Sequence, residues 1–227
     1  NDFYSSPKLS PDGSRLAWLT WKHPNMPWDE SELWVGDLLA DGSLGETRLF
    51  AGGSNESIFQ PEWSPDGLLY FVSDRNGWWN LYRLNRGSTE IVHEKEAEFA
   101  VPQWGLGMST YAFISAEQII CTYGERGMSA LATIDTRTLN LQKMDTPYTD
   151  ISYVRATPGT VVFRAGSPTE PPSIVKLDLQ TGKIDVLRRS NNLKIDPGYI
   201  SIPQAIEFPT ENGLTAHGFF YAPKNRD

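Results

Sequence analysis

The chain has 227 residues, with 20 Lys and Arg against 28 Asp and Glu, which gives a formal net charge of −8 at pH 7. This balance argues against nucleic acid and anionic membranes as partners, because both bind clustered positive charge. No apolar run approaches the about 20 residues that span a bilayer, so we expect a soluble protein. The single cysteine, Cys121, cannot form an internal disulfide, which favours a reducing, cytoplasmic location.

Short strands joined by tight turns are the expected structure of the chain. Eight Trp, nine Tyr and ten Phe favour strands, and 19 Gly and 16 Pro favour turns. The sequence Ser-Pro-Asp-Gly at residues 10–13 has the chemistry of a turn, because Pro sets one φ angle, Asp caps locally and Gly takes the left-handed conformation. Strands are predicted after it at residues 16–21, 32–37 and 47–51.

The same order of elements then repeats. A second Ser-Pro-Asp-Gly turn at residues 64–67 lies 54 residues after the first. The strands that follow it are predicted at residues 68–72, 80–84 and 88–93. Two copies without this turn are predicted at 110–115, 118–123, 129–135 and 141–144, and at 151–156, 160–165, 173–179 and 183–188. Four strands per unit of about 40–55 residues are typical of propeller blades, whereas a β-sandwich needs no repeated sequence.

The sequence therefore predicts an all-β fold, a partial β-propeller of about four four-stranded blades with a C-terminal β-hairpin. The blades are expected at about residues 1–54, 55–98, 99–147 and 148–190, and a linker and a hairpin near Gly213 at residues 191–227. Four blades rarely close a ring. We interpret the chain as an internal piece. If it forms an open arc, its exposed end faces should make it self-associate or leave it marginally stable, and we expect its hairpin to be poorly ordered or taken up by a neighbour.

Three stretches carry a resemblance to a known family. The first is Phe-Tyr-Ser-Ser-Pro at 3–7, with the strand at 16–21 and His-Pro-Asn-Met-Pro-Trp-Asp at 23–29. The second is Ser-Asp-Arg-Asn-Gly-Trp-Trp-Asn-Leu-Tyr at 73–82. The third is Ala-Ile-Glu-Phe-Pro-Thr-Glu-Asn-Gly at 205–213, followed by His-Gly-Phe-Phe-Tyr-Ala-Pro at 217–223. Together they resemble the prolyl oligopeptidase family of serine peptidases, in its dipeptidyl-aminopeptidase and acylaminoacyl-peptidase branch.

The resemblance implies a parent enzyme that hydrolyses short peptides and needs no cofactor or metal. The chain would supply part of a propeller that gates the active site, together with the first strands of the enzyme's own α/β-hydrolase domain. The alternative is a TolB-like propeller that binds a protein partner without catalysis. The tail at residues 205–223 disfavours that alternative, because a binding propeller has no reason to end in a fresh hairpin.

No catalytic residue is expected within the chain. A serine hydrolase of this type needs a Gly-x-Ser-x-Gly elbow, and the nearest sequence, at residues 127–131, lacks the second Gly and leads into a strand. The three histidines, His23, His93 and His217, are scattered and lack metal-ligand spacing. Cys121 is flanked by apolar residues and is predicted to lie in the core. The fragment alone should therefore not hydrolyse peptides.

The loop at residues 22–31 is the most promising binding segment in the sequence. It is longer than the corresponding connection in the second blade, and binding residues concentrate on loops that project from rigid scaffolds. Trp28, Asp29 and Glu30 offer an aromatic wall and negative charge, and acidic propeller residues in related aminopeptidases can hold the amino end of a peptide. The alternative is a packed loop with solvated acids. Trp78 and Trp79 could likewise bind a ligand or pack within the fold, and we predict that they pack.

Overall fold

The computed structural model describes residues 1–85 and 87–225 of the chain. Its regular structure consists of four antiparallel sheets of four strands each, a separate two-stranded hairpin and two three-residue 3-10 turns. The predicted all-β partial propeller is confirmed. No helix in the described part of the chain has the length and apolar character that crossing a membrane requires.

Each sheet is formed by four strands that are consecutive in the chain, as in a propeller blade. Blade 1 contains β1 (Phe3–Leu9), β2 (Arg15–Trp21), β3 (Ser31–Leu38) and β4 (Leu44–Gly53). Blade 2 contains β5 (Ile58–Trp63), β6 (Leu69–Ser73), β7 (Asn80–Asn85) and β8 (Ser88–His93). Blade 3 contains β9 (Tyr111–Ser115), β10 (Gln118–Glu125), β11 (Met128–Asp135) and β12 (Leu141–Met144). Blade 4 contains β13 (Asp150–Thr157), β14 (Thr160–Ser167), β15 (Glu170–Asp178) and β16 (Ile184–Arg189).

The Ser-Pro-Asp-Gly turn between β1 and β2 is held by its own side chains. Asp12 Oδ1 accepts hydrogen bonds from Ser10 Oγ at 2.6 Å and from the Ser14 amide at 3.1 Å, and Asp12 Oδ2 accepts from Ser14 Oγ at 2.8 Å. These bonds, that of Ser10 first, lower the pKa of Asp12 to about 2. Gly13 takes a φ of 72°, which a side chain would strain. The turn that defines the sequence repeat is thus self-contained.

The innermost strands of blades 1, 2 and 4 are interrupted by bulges. The pairing register shifts between Ser5 and Lys8 in β1, and corresponding shifts occur in β5 and β13. Within each bulge one residue that is not glycine adopts a left-handed φ, namely 53° at Ser6, 48° at Gln60 and 56° at Tyr153. Bulges of this kind change the direction of side chains and are frequent beside functional sites. All three residues line the cavities described below.

Three apolar clusters hold neighbouring blades together. One joins blades 1 and 2, with Leu19, Leu33 and Phe71 among its buried members. The next joins blades 2 and 3 and includes Cys121, as the sequence predicted, and the last joins blades 3 and 4 around Phe163. Because each blade buries one face against the next, the stabilising hydrophobic area lies between the sheets.

The C-terminal hairpin is formed and paired. A 3-10 turn at Pro197–Tyr199 precedes it, and β17 (Gln204–Pro209) pairs with β18 (Thr215–Phe220) across the 3-10 turn Glu211–Gly213. The predicted hairpin near Gly213 is therefore present. That it is poorly ordered or taken up by a neighbour stays a prediction. The proposed division into a propeller at 1–190 and a following segment stays a prediction.

Candidate functional site

A cavity of about 580 Å³ opens where blades 2, 3 and 4 meet. It lies at the end of the blades where β9 and β13 begin. The β6–β7 and β10–β11 turns lie beside it. Its apolar and polar lining comprises, among others, Trp79, Met108, Thr122, Tyr123, Met128, Ile151 and Tyr153. A concave, mostly apolar surface with a few polar groups is the usual form of a ligand site.

Packed aromatic rings make part of the cavity wall rigid. The half-buried Trp79 ring stacks on Phe59, with centroids 6.5 Å apart and planes 15° apart. The buried Tyr123 ring lies 5.3 Å from Phe99. Tyr153, in contrast, is 43% exposed, and its left-handed backbone is unusual for a bulky residue. The cavity therefore has fixed walls and one exposed aromatic side chain.

Two carboxylates give one rim of the cavity a negative charge. Asp74 Oδ1 accepts a hydrogen bond of 2.7 Å from the Ser57 amide, and Glu98 Oε2 accepts one of 3.1 Å from the Trp79 amide. Burial raises the pKa of Asp74, and the charge of Glu56 raises it further. Among the described residues that line the cavity, none is Lys or Arg. The rim therefore favours a ligand with a cationic group.

The arginine of the β6–β7 turn, Arg75, is paired with a different carboxylate, that of Glu56. Arg75 Nη2 lies 2.7 Å from Glu56 Oε1, and Ser73 Oγ donates to the same oxygen at 2.6 Å. The guanidinium also lies over the ring of Tyr82, 5.0 Å from its centroid. Arg75 is thus held by Glu56 and by the Tyr82 ring.

The connection from blade 2 to blade 3 crosses the inside of the arc, and we call residues 101–108 the strap. Gln103 Nε2 donates to Ser5 Oγ of blade 1 at 3.0 Å, and Arg155 Nη2 of blade 4 donates to the Gly107 carbonyl at 2.7 Å. The strap thus links two blades that are not neighbours in sequence. Met108 borders both the first cavity and a second one of about 620 Å³ beside the inner strands.

The predicted binding residues of the 22–31 loop lie outside both cavities. The half-buried Trp28 packs against Trp104 of the strap, with ring centroids 4.4 Å apart. Asp29 Oδ2 accepts a hydrogen bond of 2.8 Å from the Met26 amide, so this carboxylate helps to shape its own loop. Glu30 is half-buried. The structure brings Trp28 to the strap, and substrate binding by these three residues stays a prediction.

The other residues singled out in the sequence serve different contacts. Ser129, the serine of the elbow-like sequence at residues 127–131, lies in β11. Its amide donates a hydrogen bond of 2.8 Å to the carbonyl oxygen of Thr149. His217 Nδ1 lies 3.4 Å from Glu207 Oε1 in the hairpin. Burial raises the pKa of the Cys121 thiol well above its usual value. Within residues 1–85 and 87–225, no three His, Cys, Asp or Glu side chains are grouped as metal ligands.

Sequence reasoning missed the strap and the exposed Tyr153. The Trp-Gly-Leu-Gly sequence at residues 104–107 could have marked the strap. In the structure Trp104 is 77% exposed. No local signal marks Tyr153, because its left-handed conformation depends on the bulge in β13. Trp79 packs on Phe59, as predicted, but it also lines the cavity, and Trp78 is 39% exposed.

One buried hydroxyl beside the cavity has no partner, which leads to a stability prediction. Thr122 is buried, and its Oγ1 makes no hydrogen bond within the described part of the chain. Thr122→Val keeps the shape and removes the unpaired hydroxyl, so we expect stabilisation of about 1 kcal/mol. Urea unfolding followed by tryptophan fluorescence measures this, with Thr157→Val at an exposed position as the control. A loss of stability would show that the hydroxyl is satisfied.

A four-blade arc followed by a separate hairpin is the architecture that the sequence motifs predicted for the prolyl oligopeptidase family. Comparison with solved structures confirms this resemblance over nearly the whole chain. A puromycin-hydrolyzing peptidase of Mycobacterium tuberculosis is 36% identical over 99% of this chain, with a TM-score of 0.93. A puromycin hydrolase is 34% identical over 99%, with a TM-score of 0.91. The chain spans about a third of these proteins, 35% and 34% of their lengths.

More distant structures share the fold alone. Prolyl oligopeptidase B from Galerina marginata is 16% identical over 96% of this chain, with a TM-score of 0.70, and the chain spans 30% of it. TolB from Acinetobacter baumannii is 13% identical over 99% of this chain, with a TM-score of 0.62, and the chain spans 56% of it. No model of a protein family matches the chain, and no curated protein matches it.

Proposed function

We propose that the chain is the non-catalytic, substrate-selecting portion of the propeller of a serine peptidase. The peptidase would hydrolyse short peptides as an aminoacyl or acylaminoacyl peptidase. The observation that carries this proposal is the identity of 34–36%, over 99% of the chain, with proteins named for puromycin hydrolysis. Since the chain spans only about a third of those proteins, the activity of the whole enzyme is itself part of the proposal.

The cavity gives the proposed selection a physical basis. Its volume of about 580 Å³ suits a few amino-acid residues and is far too small for a folded protein. The carboxylates of Asp74 and Glu98 at the rim would attract the ammonium group of a peptide, and the apolar wall would cover a side chain. Size and charge would together decide which peptides reach the catalytic domain.

The same proposal covers the partners, the cofactor requirement and the location of the protein. Its partners would be short peptides and the enzyme's own α/β-hydrolase domain, which the hairpin would join. Neither a cofactor nor a metal is needed for this role. The buried Cys121, the single cysteine of the chain, fits a cytoplasmic protein.

The role of the acidic rim is tested in the full-length protein that contains this chain. Glu98→Gln removes one charge, and we expect KM to rise about tenfold for a dipeptide with a free amino group, with kcat little changed. The N-acetylated dipeptide should show no change. Glu94→Gln, at an exposed position outside the cavity, is the matched control. An equal effect on both substrates, or none on either, would contradict the proposed contact.

The same comparison of KM for the free and the N-acetylated dipeptide tests Asp29 and Glu30. We propose that they add to the recognition of the amino group, although Asp29 already binds the Met26 amide. Asp29→Asn and Glu30→Gln would then raise KM for the free dipeptide only. An unchanged KM would assign these acids to the structure of their loop.

The second candidate is a TolB-like propeller that binds a protein without catalysis. It is favoured by the match of the fold to TolB over 99% of the chain. The full-length protein would then hydrolyse no aminoacyl chromogenic substrate at any concentration. Hydrolysis that a serine-directed inhibitor abolishes would exclude this candidate.

A further inference from the structure

The β10–β11 turn at residues 126–128 separates two depressions. On one side, Gly127 and Met128 line the cavity of about 580 Å³. On the other side, the same two residues line a groove of about 350 Å³ between blades 3 and 4. We call this second depression the blade 3–4 groove; its walls include Thr149, Gly166 and Pro172. Any displacement of the turn therefore changes both depressions.

The C-terminal hairpin borders the blade 3–4 groove through an aromatic residue of β18, Phe219. Phe219 of β18 lines the groove together with Tyr221. A Cβ atom on Gly127 would lie 2.8 Å from Phe219 Cε2 and 2.9 Å from Cζ, closer than real Cβ atoms approach other atoms. A side chain at position 127 would therefore require the phenyl ring to move from its observed place.

Most side chains of the hairpin are exposed, and Phe219 itself is 40% exposed. Phe208 is 47% exposed and Leu214 is 66% exposed. The residues of β17 are all exposed. Because so much of the hairpin is exposed, the contact of the Phe219 ring with Gly127 should contribute strongly to its position.

We propose that Phe219 docks the hairpin in the blade 3–4 groove, that Gly127 is required to admit its ring, and that docking in turn holds the turn that walls the cavity. The hairpin is then coupled to the cavity through residues 126–128. This inference does not rest on the proposed function, because it concerns two parts of one chain and requires no hydrolysis.

Docking is tested by measuring the distance between two spin labels in the 227-residue chain. Leu214→Cys places one label on the exposed hairpin tip, and Gln180→Cys places the other on the exposed β15–β16 turn. Cys121 is buried and stays unlabelled. The parent should give a single narrow distance distribution. Gly127→Ala and Phe219→Ala should both lose it and give broad distributions.

The control separates the steric clash from backbone strain. Gly159 has a φ of 79°, close to the 76° of Gly127, but a Cβ atom there would meet nothing within 4 Å. Gly159→Ala should therefore keep the narrow distribution. Adding Gly127→Ala to Phe219→Ala should broaden the distribution no further, because the ring it would strike is gone. Equal, narrow distributions for Gly127→Ala and Gly159→Ala would overturn the docking role.

Coupling to the cavity is measured by hydrogen exchange. Phe219→Ala should accelerate exchange of the amides at residues 126–129, including the Ser129 amide that donates to Thr149 O. Exchange in β5–β7 of blade 2 should stay unchanged. If the 126–129 amides exchange as slowly as in the parent, the coupling to the cavity is wrong.

Discussion

Gly52→Ala is expected to destabilise the chain by about 3 to 5 kcal/mol. Gly52 lies in the last strand of blade 1 with a φ of 89°. A Cβ atom there would lie 1.9 Å from the carbonyl oxygen of Ser31 and 2.9 Å from its carbonyl carbon. The obstacle is backbone, so no side-chain rotation relieves the clash.

Ser31 is also held in place from the other side. Its Oγ accepts a hydrogen bond of 2.7 Å from the Ile58 amide of blade 2, and Ser31 is buried. Moving Ser31 away from the new methyl group would therefore break a contact between the two blades. The clash is expected to spread to the seam between blades 1 and 2.

Gly42→Ala provides the matched control for this prediction. Gly42 lies in the same blade with a φ of 84°, and a Cβ atom there would meet nothing within 4 Å. Its replacement should cost only the strain of a left-handed alanine, about 1 kcal/mol. Both variants are compared by urea unfolding followed by tryptophan fluorescence. Equal losses would show that strain alone, and not the contact with Ser31, determines the need for glycine.

Gln60→Ala is the second large effect, with an expected loss of about 2 to 4 kcal/mol. Gln60 is buried in the bulge of β5, and its amide group joins blades 2 and 3. Nε2 donates to the Tyr111 carbonyl at 2.8 Å, and Oε1 accepts from the Thr110 amide at 2.7 Å. Truncation leaves both backbone groups buried without a partner, which is costlier than the loss of a bond at the surface.

An exposed glutamine distinguishes this effect from the general cost of truncation. Gln118 lies at the start of β10 and is exposed, so Gln118→Ala should change the free energy of unfolding by less than about 0.5 kcal/mol. If Gln60→Ala were equally mild, water would have to replace the amide group between the blades. Calorimetric melting of both variants decides between these results.

The strands could be predicted from the sequence where turns and apolar alternation are local. Residues 88–93 and 141–144 were predicted as strands and coincide with β8 and β12. The outer strand of blade 1 was predicted at 47–51 but extends over Leu44–Gly53. The pairing of β3 with β4 contains two register shifts, for which the sequence carries no simple signal.

The candidate site was less accessible to sequence reasoning. The 22–31 loop drew attention by its length, whereas the strap acquires its place through bonds to Ser5 and Arg155, which are 98 and 48 residues away from their partners. The acidic rim combines Asp74 with Glu98 from different segments. Such sites arise from tertiary contacts, so no local motif announces them.

The sequence of the natural protein on both sides of this chain tests the central claim most directly. If the chain is the propeller portion of a serine peptidase, a Gly-x-Ser-x-Gly elbow followed by Asp and His should occur within about 200–250 residues after position 227. A stop codon soon after that position, or further blades in place of a hydrolase domain, would contradict the claim and favour a binding propeller.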